Sequence, residues 1–295
     1  MRRSWLSLCR YYNAFNNTKA SYDKAKGRLQ LYDVQMSSLF VAESKALQKL
    51  AVAVGDTAAV AMLKQQCDNI GALINGVLWD EATGIYRQVD ASNLSRGFSP
   101  AISPTSFYPL IAGVASTARA QRMVNGYLTN ASEFCVRAKP KGMLAAADEA
   151  RSGDASRAGD ATGSSDAAVS EPGASQEDEG CPYAPPSISK SDPNYYDNSY
   201  WRGRIWGPLN LLLWMGLSEP TYAQIPAVQS ARKGLCEQSS ELLMKEWMAK
   251  RHVHENYNST TGVGGDVPNS NPFYHWGANL VYIGMREAMQ SGAGD

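Results

Sequence analysis

No apolar run in this 295-residue sequence approaches the length of a membrane span. At the N-terminus, Met1-Arg2-Arg3 leads into an apolar stretch, Trp5 to Cys9, that breaks at Arg10. That is shorter than the apolar core of a signal peptide, so any targeting segment is expected to lie upstream of the chain, not within it. There is no excess of either charge: Lys plus Arg and Asp plus Glu number 28 each, which removes the electrostatic case for nucleic acid or an anionic membrane surface. The five cysteines (Cys9, Cys67, Cys135, Cys181 and Cys236) are scattered without a C-x-x-C pair. A zinc ribbon and a disulfide-dense scaffold are excluded, and the cysteines are read as thiols. No sequence feature calls for a cofactor. Strand signals are sparse.

What remains is a composition of 44% hydrophobic and 19% charged residues, that of a globular domain with a real core. Four Asn-x-Ser/Thr acceptors stand at Asn16, Asn93, Asn130 and Asn258, a number that chance supplies in a chain rich in Asn and Ser. Helical periodicity begins behind Asp33, a candidate N-cap. Met36, Leu39, Phe40, Leu47, Leu50, Ala51 and Val54 form its stripe, which stops at Gly55. A second helix is expected at about 57–78, followed by a turn at Gly84 and a short strand. Ser103-Pro104 opens a third, with Phe107, Leu110, Ile111, Val114 and Ala115 as its apolar face. Others follow at about 118–129, 203–217, 222–249 and 274–290, giving an all-α array.

Residues 139–180 differ from the rest. They are Ala, Gly, Ser, Asp and Glu with almost no large apolar side chain, too little to offset the entropy of ordering. Sequence of one helical, aromatic-rich character stands on both sides, so this segment reads as a disordered insertion in a surface loop of a single domain.

Three loop clusters combine aromatic and polar residues: Phe98 to Leu110, Asp192 to Asn210, and His254 to Gly277. A pyranose asks for such mixtures, because its C–H faces lie on aromatic rings while its hydroxyls need Asn, Arg or carboxylate partners. Trp214 and Trp247 lie within helical stripes and read as core. Trp201, Trp206 and Trp276 adjoin glycine, proline and polar residues at element ends and read as site candidates. His252, His254, Glu255 and His275 fall in one region, but no H-E-x-x-H occurs, and no metal site is assigned.

The run Tyr200-Trp201-Arg202-Gly203-Arg204-Ile205-Trp206-Gly207-Pro208-Leu209-Asn210 resembles the Y-W-R-G-x-[IV]-W-x-P-x-N signature of glycoside hydrolase family 63. That family includes the mannosyl-oligosaccharide glucosidases, and trehalases share much of the motif. Pro186 to Pro193, Ser103 to Leu110, Glu255-Asn256-Tyr257-Asn258 with Gly262, and Tyr274-His275-Trp276-Gly277 match colinearly over about 33–288. The resemblance implies an (α/α)6 toroid and an inverting hydrolase that releases a terminal α-linked glucose or related sugar. It makes Glu255 the base and gives Tyr200, Trp201, Arg202, Phe107, Tyr108, Tyr257, His275 and Trp276 to the sugar. The expected partner is carbohydrate, with no nucleic acid and no membrane contact; a role in N-glycan processing implies the endoplasmic reticulum.

One departure from the family stands out. Its general acid is an Asp in an S-G-x-D-N-S-P context ahead of the helix that starts here at Asp33, and residues 1–32 contain no such segment; Asp23 stands in Ser21-Tyr22-Asp23-Lys24. About seven helices are counted where a full toroid has twelve. The chain is therefore read as the C-terminal portion of a catalytic domain, and the alternative reading is an inactive carbohydrate-binding remnant.

Overall fold

A computed structural model describes residues 22, 23, 25, 27–137 and 182–291. The insertion expected at 139–180 lies outside these residues, as does the N-terminal stretch through Ser21.

Helices dominate, and each begins where the sequence supplies a stop to extended chain. Helix α1 (Val34–Ala53) is capped by Asp33, whose carboxylate accepts the N–H of Met36 at 2.7 Å. Helix α2 (Thr57–Leu73) is capped in the same way by Asp56, bonded to the N–H of Ala59. It runs into a wide π-type turn at Ile74–Leu78. Helix α3 (Thr117–Met123) ends in a second such turn at Val124–Leu128. Both turns carry the pair Asn-Gly, poor helix formers that relax the α ladder there. Helices α4 (Gly207–Leu217), α5 (Pro226–Lys250) and α6 (Asn279–Ser291) complete the set among the described residues. The segment Pro104–Leu110, expected to open an α-helix, is a 3-10 helix. Pro109 within it has no N–H to donate, so the i→i−4 ladder cannot form.

Strands are short. Six of two residues each pair antiparallel into three separate ribbons: β1 (Tyr22–Asp23) with β2 (Arg28–Leu29), β3 (Leu31–Tyr32) with β6 (Val89–Asp90), and β4 (Trp79–Asp80) with β5 (Ile85–Tyr86). The expected turn at Gly84 closes the last of these, and its φ of 78° is one glycine tolerates.

The helices alternate between two rows. Helix α1 touches Pro104–Leu110, which touches α4, which touches α6; α2 backs α1, and α5 backs α4 and α6 with α3 and its π-turn against it. The main core lies between the rows and is built from residues such as Ile74, Met123, Leu213, Leu217, Leu235 and Ile283. This is the layered arc of an all-α toroid, with loop clusters at the helix ends.

Three further expectations change. Most of the apolar stripe foreseen for α1 faces outward: Leu50 is 63% exposed, and Met36, Phe40, Leu47 and Val54 are exposed as well, while Leu39 and Ala51 pack inward. The packed face is Val34, Ser38, Val41, Ser44 and Ala51, with the Ser38 hydroxyl donating to the Val34 carbonyl so that no buried polar group is stranded. Trp247, read as core, is 44% exposed, whereas Trp214 is buried with its indole N–H on Glu287 at 3.0 Å. Cys67 and Cys236 are thiols as expected, but Cys135 is disulfide-bonded, and its partner lies outside the described residues.

The reversed face of α1 has a measurable consequence. Val41→Ala should cost about 0.5–3 kcal/mol of unfolding free energy, while Leu50→Ala should stay within about 0.5 kcal/mol. Urea denaturation of the two variants checks this; a larger loss at Leu50 places the buried face where periodicity alone put it.

Candidate active site

The site starts from a two-residue hairpin. Ser199 and Arg202 exchange both backbone hydrogen bonds, at 2.9 and 2.8 Å, leaving Tyr200 and Trp201 at the tip. Such a tip demands positive φ at its first position, and Tyr200 adopts 50°, a conformation that glycine or asparagine would take without strain. Gly203 follows at φ 91°, and a Cβ there would stand 2.1 Å from the Tyr195 carbonyl oxygen, so no other residue fits.

The tip fixes a set of aromatic rings. Trp201 stacks on the wholly buried Trp206 at 3.7 Å and 13°. Tyr200 meets Trp206 edge-on at 4.9 Å, and Trp276 meets it at 5.7 Å. The Trp206 indole N–H donates to the Tyr200 carbonyl at 2.9 Å, which ties the rings back to the hairpin that presents them.

Beneath the rings lies a buried charge. The Arg204 guanidinium is fully buried and donates to Asp266 at 2.5 Å, to the Asn198 carbonyl at 3.4 Å and to the Asn256 side-chain oxygen. Asn258 adds a bond to Asp266 at 3.0 Å. Burial pushes the Asp266 carboxyl upward, but the hydrogen bonds from Arg204 and Asn258 outweigh it and hold the group below the usual carboxylate range. Ile205 and Tyr257 exchange backbone bonds at 2.8 and 3.0 Å, so the 199–206 and 255–258 segments run side by side.

Glu255 sits between these supports. It is buried, its N–H donates to the Asn271 carbonyl at 2.9 Å, and its carboxylate meets the Tyr200 hydroxyl and the Asn271 amide only at 3.5 Å each. It makes no ion pair among the described residues. Burial therefore dominates and raises its pKa above the ordinary glutamate value, opposed by the bonds from Asn271 and Tyr200. A buried carboxylate with long contacts and no cation beside it is poised to take a proton.

A second post stands behind. His254 is buried, 3.3 Å from the buried Glu246 carboxylate, and burial lowers its pKa against the pull of Glu246. Glu246 also accepts the N–H of Gly264 at 3.1 Å, and Lys250 donates to the Gly264 carbonyl. A Cβ on Gly264 would meet the imidazole at 2.4 Å. The Tyr257 hydroxyl accepts the backbone N–H of His254 at 3.1 Å, and burial pushes the pKa of Tyr257 up to about 12.

Among the residues expected at the site, Glu255, Tyr200, Trp201 and Trp276 gather with Trp206. Arg202 pairs with Asp197 at 2.8 Å instead of meeting Glu255. Tyr108 packs in the same small apolar cluster as Trp201 and Trp206, its hydroxyl on the Leu209 carbonyl. Phe107 stacks edge-on with Phe134 inside the main core, and Tyr257 is buried beneath the loop. His275 lies flat on Tyr274. No cluster of three or more His, Cys, Asp or Glu among the described residues is arranged to hold a metal. Sequence reading missed Asn271 and the node of Arg204, Asn256 and Asp266. Arg204, Asn256 and Asn271 lie inside the quoted motifs and clusters and were within reach; Asp266 belongs to no quoted motif.

Comparison with known proteins adds the following. The model of the mannosylglycerate hydrolase MGH1-like glycoside hydrolase domain matches residues 5–147 and 129–276. Among solved structures, the chain is similar to a GH63 mannosylglycerate hydrolase from Thermus thermophilus in complex with glucose, with a TM-score of 0.57 and 18% identity over 87% of this chain and 45% of that one. The neutral trehalase of Saccharomyces cerevisiae is also similar, with a TM-score of 0.53 and 14% identity over 87% of this chain and 38% of that one. These likenesses establish the toroid fold. The chain spans less than half the length of either structure. Comparison with curated proteins gives no match.

Two outcomes follow from the buried charges. Asp266→Ala should cost about 3–5 kcal/mol, because the fully buried Arg204 guanidinium would be left without its anion, and Arg204→Lys should also lose stability for want of the planar fork. Urea unfolding measures both. For Glu255 the raised folded pKa means that the native state binds the proton more tightly than the unfolded chain. Stability is thus lost as pH rises from the unfolded value, about 4.3, through the folded one. Glu255→Gln should gain melting temperature over the wild type as pH rises from about 4 to neutrality; a difference independent of pH contradicts the environment described.

Proposed function

Since the chain belongs to the family of mannosylglycerate hydrolase MGH1-like glycoside hydrolase domains, we propose that it contributes to the hydrolysis of a terminal α-linked glucose, or a related hexose, with inversion at the anomeric carbon. The observation that carries the reading is Glu255, buried, raised in pKa and without a cation, under the hydroxyl of Tyr200, whose ring packs on the stacked Trp201 and Trp206.

In this reading the sugar's C–H face lies on the partly exposed rings of the aromatic group, Tyr200 and Trp276, and its hydroxyls reach Arg202 and Asn271. Glu255 takes a proton from a water lodged on the side of the ring away from the leaving group. The water oxygen bonds to the anomeric carbon as the glycosidic C–O bond breaks, and an acid on the opposite side protonates the departing oxygen. Inverting pairs stand roughly 6.5–9.5 Å apart to admit that water. No acid is assigned among the described residues. Tyr200 and Asn271 orient the base, and their long contacts leave its charge available for the transfer. The solved relatives include a mannosylglycerate hydrolase with Tris and D-glycerate, which makes a small acidic aglycone the first substrate to try alongside α-glucosides.

The test uses the full-length protein with α-glucosyl and α-mannosyl glycerate and an α-linked glucose disaccharide, followed by proton NMR. The expected first product is the β-anomer, and Glu255→Gln should lower turnover by about 100-fold or more while glucose still quenches tryptophan fluorescence. Release of the α-anomer first, or turnover by the Gln variant within about tenfold of wild type, overturns the assignment. Binding of sugar without any turnover by the wild type favours the alternative, an inactive carbohydrate-binding protein.

A further inference from the structure

The Cys135 disulfide and the three described Asn-x-Ser/Thr acceptors bear on one question, the compartment in which the chain matures. By count alone the acceptors mean little, but the structure separates them. Asn93 is exposed and caps a short 3-10 helix, Leu94–Arg96. Its side-chain oxygen accepts both the N–H of Ser95 at 3.2 Å and the Ser95 hydroxyl at 2.6 Å. Asn130 is exposed in a turn; its oxygen accepts the N–H of Ser132 at 2.9 Å, and its amide donates one hydrogen to the Gly126 carbonyl at 3.1 Å. At both positions the amide can exchange one hydrogen for a sugar at the surface without giving up a bond, since Asn130 keeps its second hydrogen for Gly126.

Asn258 is different. It is half-buried, its oxygen accepts the N–H groups of Thr260 and Thr261 and the amide of Asn198 at 2.9, 3.1 and 3.0 Å, and its own amide donates to Asp266 at 3.0 Å. A sugar on that nitrogen would sit inside the network that surrounds the Arg204–Asp266 pair. The disulfide at Cys135 supplies the independent observation, because such bonds form and persist where the compartment is oxidising, the same compartments in which asparagine is glycosylated.

We propose that Asn93 and Asn130 carry N-linked glycans and that Asn258 stays unmodified. The donor class is an oligosaccharide on a polyprenyl pyrophosphate. The amide nitrogen bonds to the anomeric carbon of the donor, the bond from that carbon to the pyrophosphate oxygen breaks, and the pyrophosphate leaves with the electron pair. The amide gives up one proton to the transferase and keeps one N–H. Asn16 lies outside the described residues and is not part of the assignment.

The experiment uses the protein purified from its own source, with no variant and no requirement for activity. Enzymatic release of N-glycans in heavy-oxygen water converts each occupied asparagine to a labelled aspartate, read by peptide mass mapping. Labelled aspartate at both 93 and 130 above an enzyme-free control, with unlabelled asparagine at 258, upholds the proposal. Recovery of either Asn93 or Asn130 wholly as unmodified asparagine overturns it, as does labelled aspartate at 258.

Discussion

A guanidinium taken fully out of water governs the site. Arg204 has no route back to solvent, and an unpaired charge in that position costs several kcal/mol. Its partners come from three stretches of chain: the Asn198 carbonyl, the Asn256 side chain and the Asp266 carboxylate. They satisfy it together only when the 198–206 hairpin, the 256–258 segment and the loop at 266 close on one point. Glu255 precedes Asn256 and Trp201 lies three residues before Arg204, so pairing of the charge also brings carboxylate and aromatic surface together. The paired backbone of Ile205 and Tyr257 sets their register.

Around that node the chain accepts local strain. A left-handed tyrosine costs on the order of 1–3 kcal/mol and persists only where its surroundings over-determine it. Here the Trp201–Trp206 stack, the edge contact of Tyr200 on Trp206 and the indole bond to the Tyr200 carbonyl provide that surrounding. The result is a tyrosine hydroxyl held over a carboxylate it only lightly contacts. On the far side, Glu246 and Lys250 at the end of α5 hold the backbone N–H and the carbonyl of Gly264, with the His254 ring in the space a larger residue would need. Helix and loop are thereby fixed to each other.

The helices were legible because their signals are local. An aspartate with the N–H three residues on, a glycine at a turn, and apolar residues at helical spacing depend on neighbours along the chain, and α1, α2, α4, α5 and α6 stand close to where those signals put them. The segment behind Ser103-Pro104 departs for an equally local reason that periodicity does not weigh, the missing N–H of Pro109. The ordered motifs carried the family and drew attention to Glu255, Tyr200, Trp201 and Trp276.

What the sequence determined by itself, then, was an all-α architecture, the family, and the loops that hold the site. Tertiary structure alone decided which face of α1 is buried, because amphipathic spacing names a face but not the neighbour that covers it. It decided that Trp214 packs while Trp247 does not, since position within the rows and not hydrophobicity sets that outcome. It also decided the partners of charge. Arg202 turns to Asp197, and Arg204, two residues on, reaches Asp266 sixty-two residues away. Two arginines of one motif look alike in sequence; only the folded chain determines which one is shut away from water and must therefore be paired.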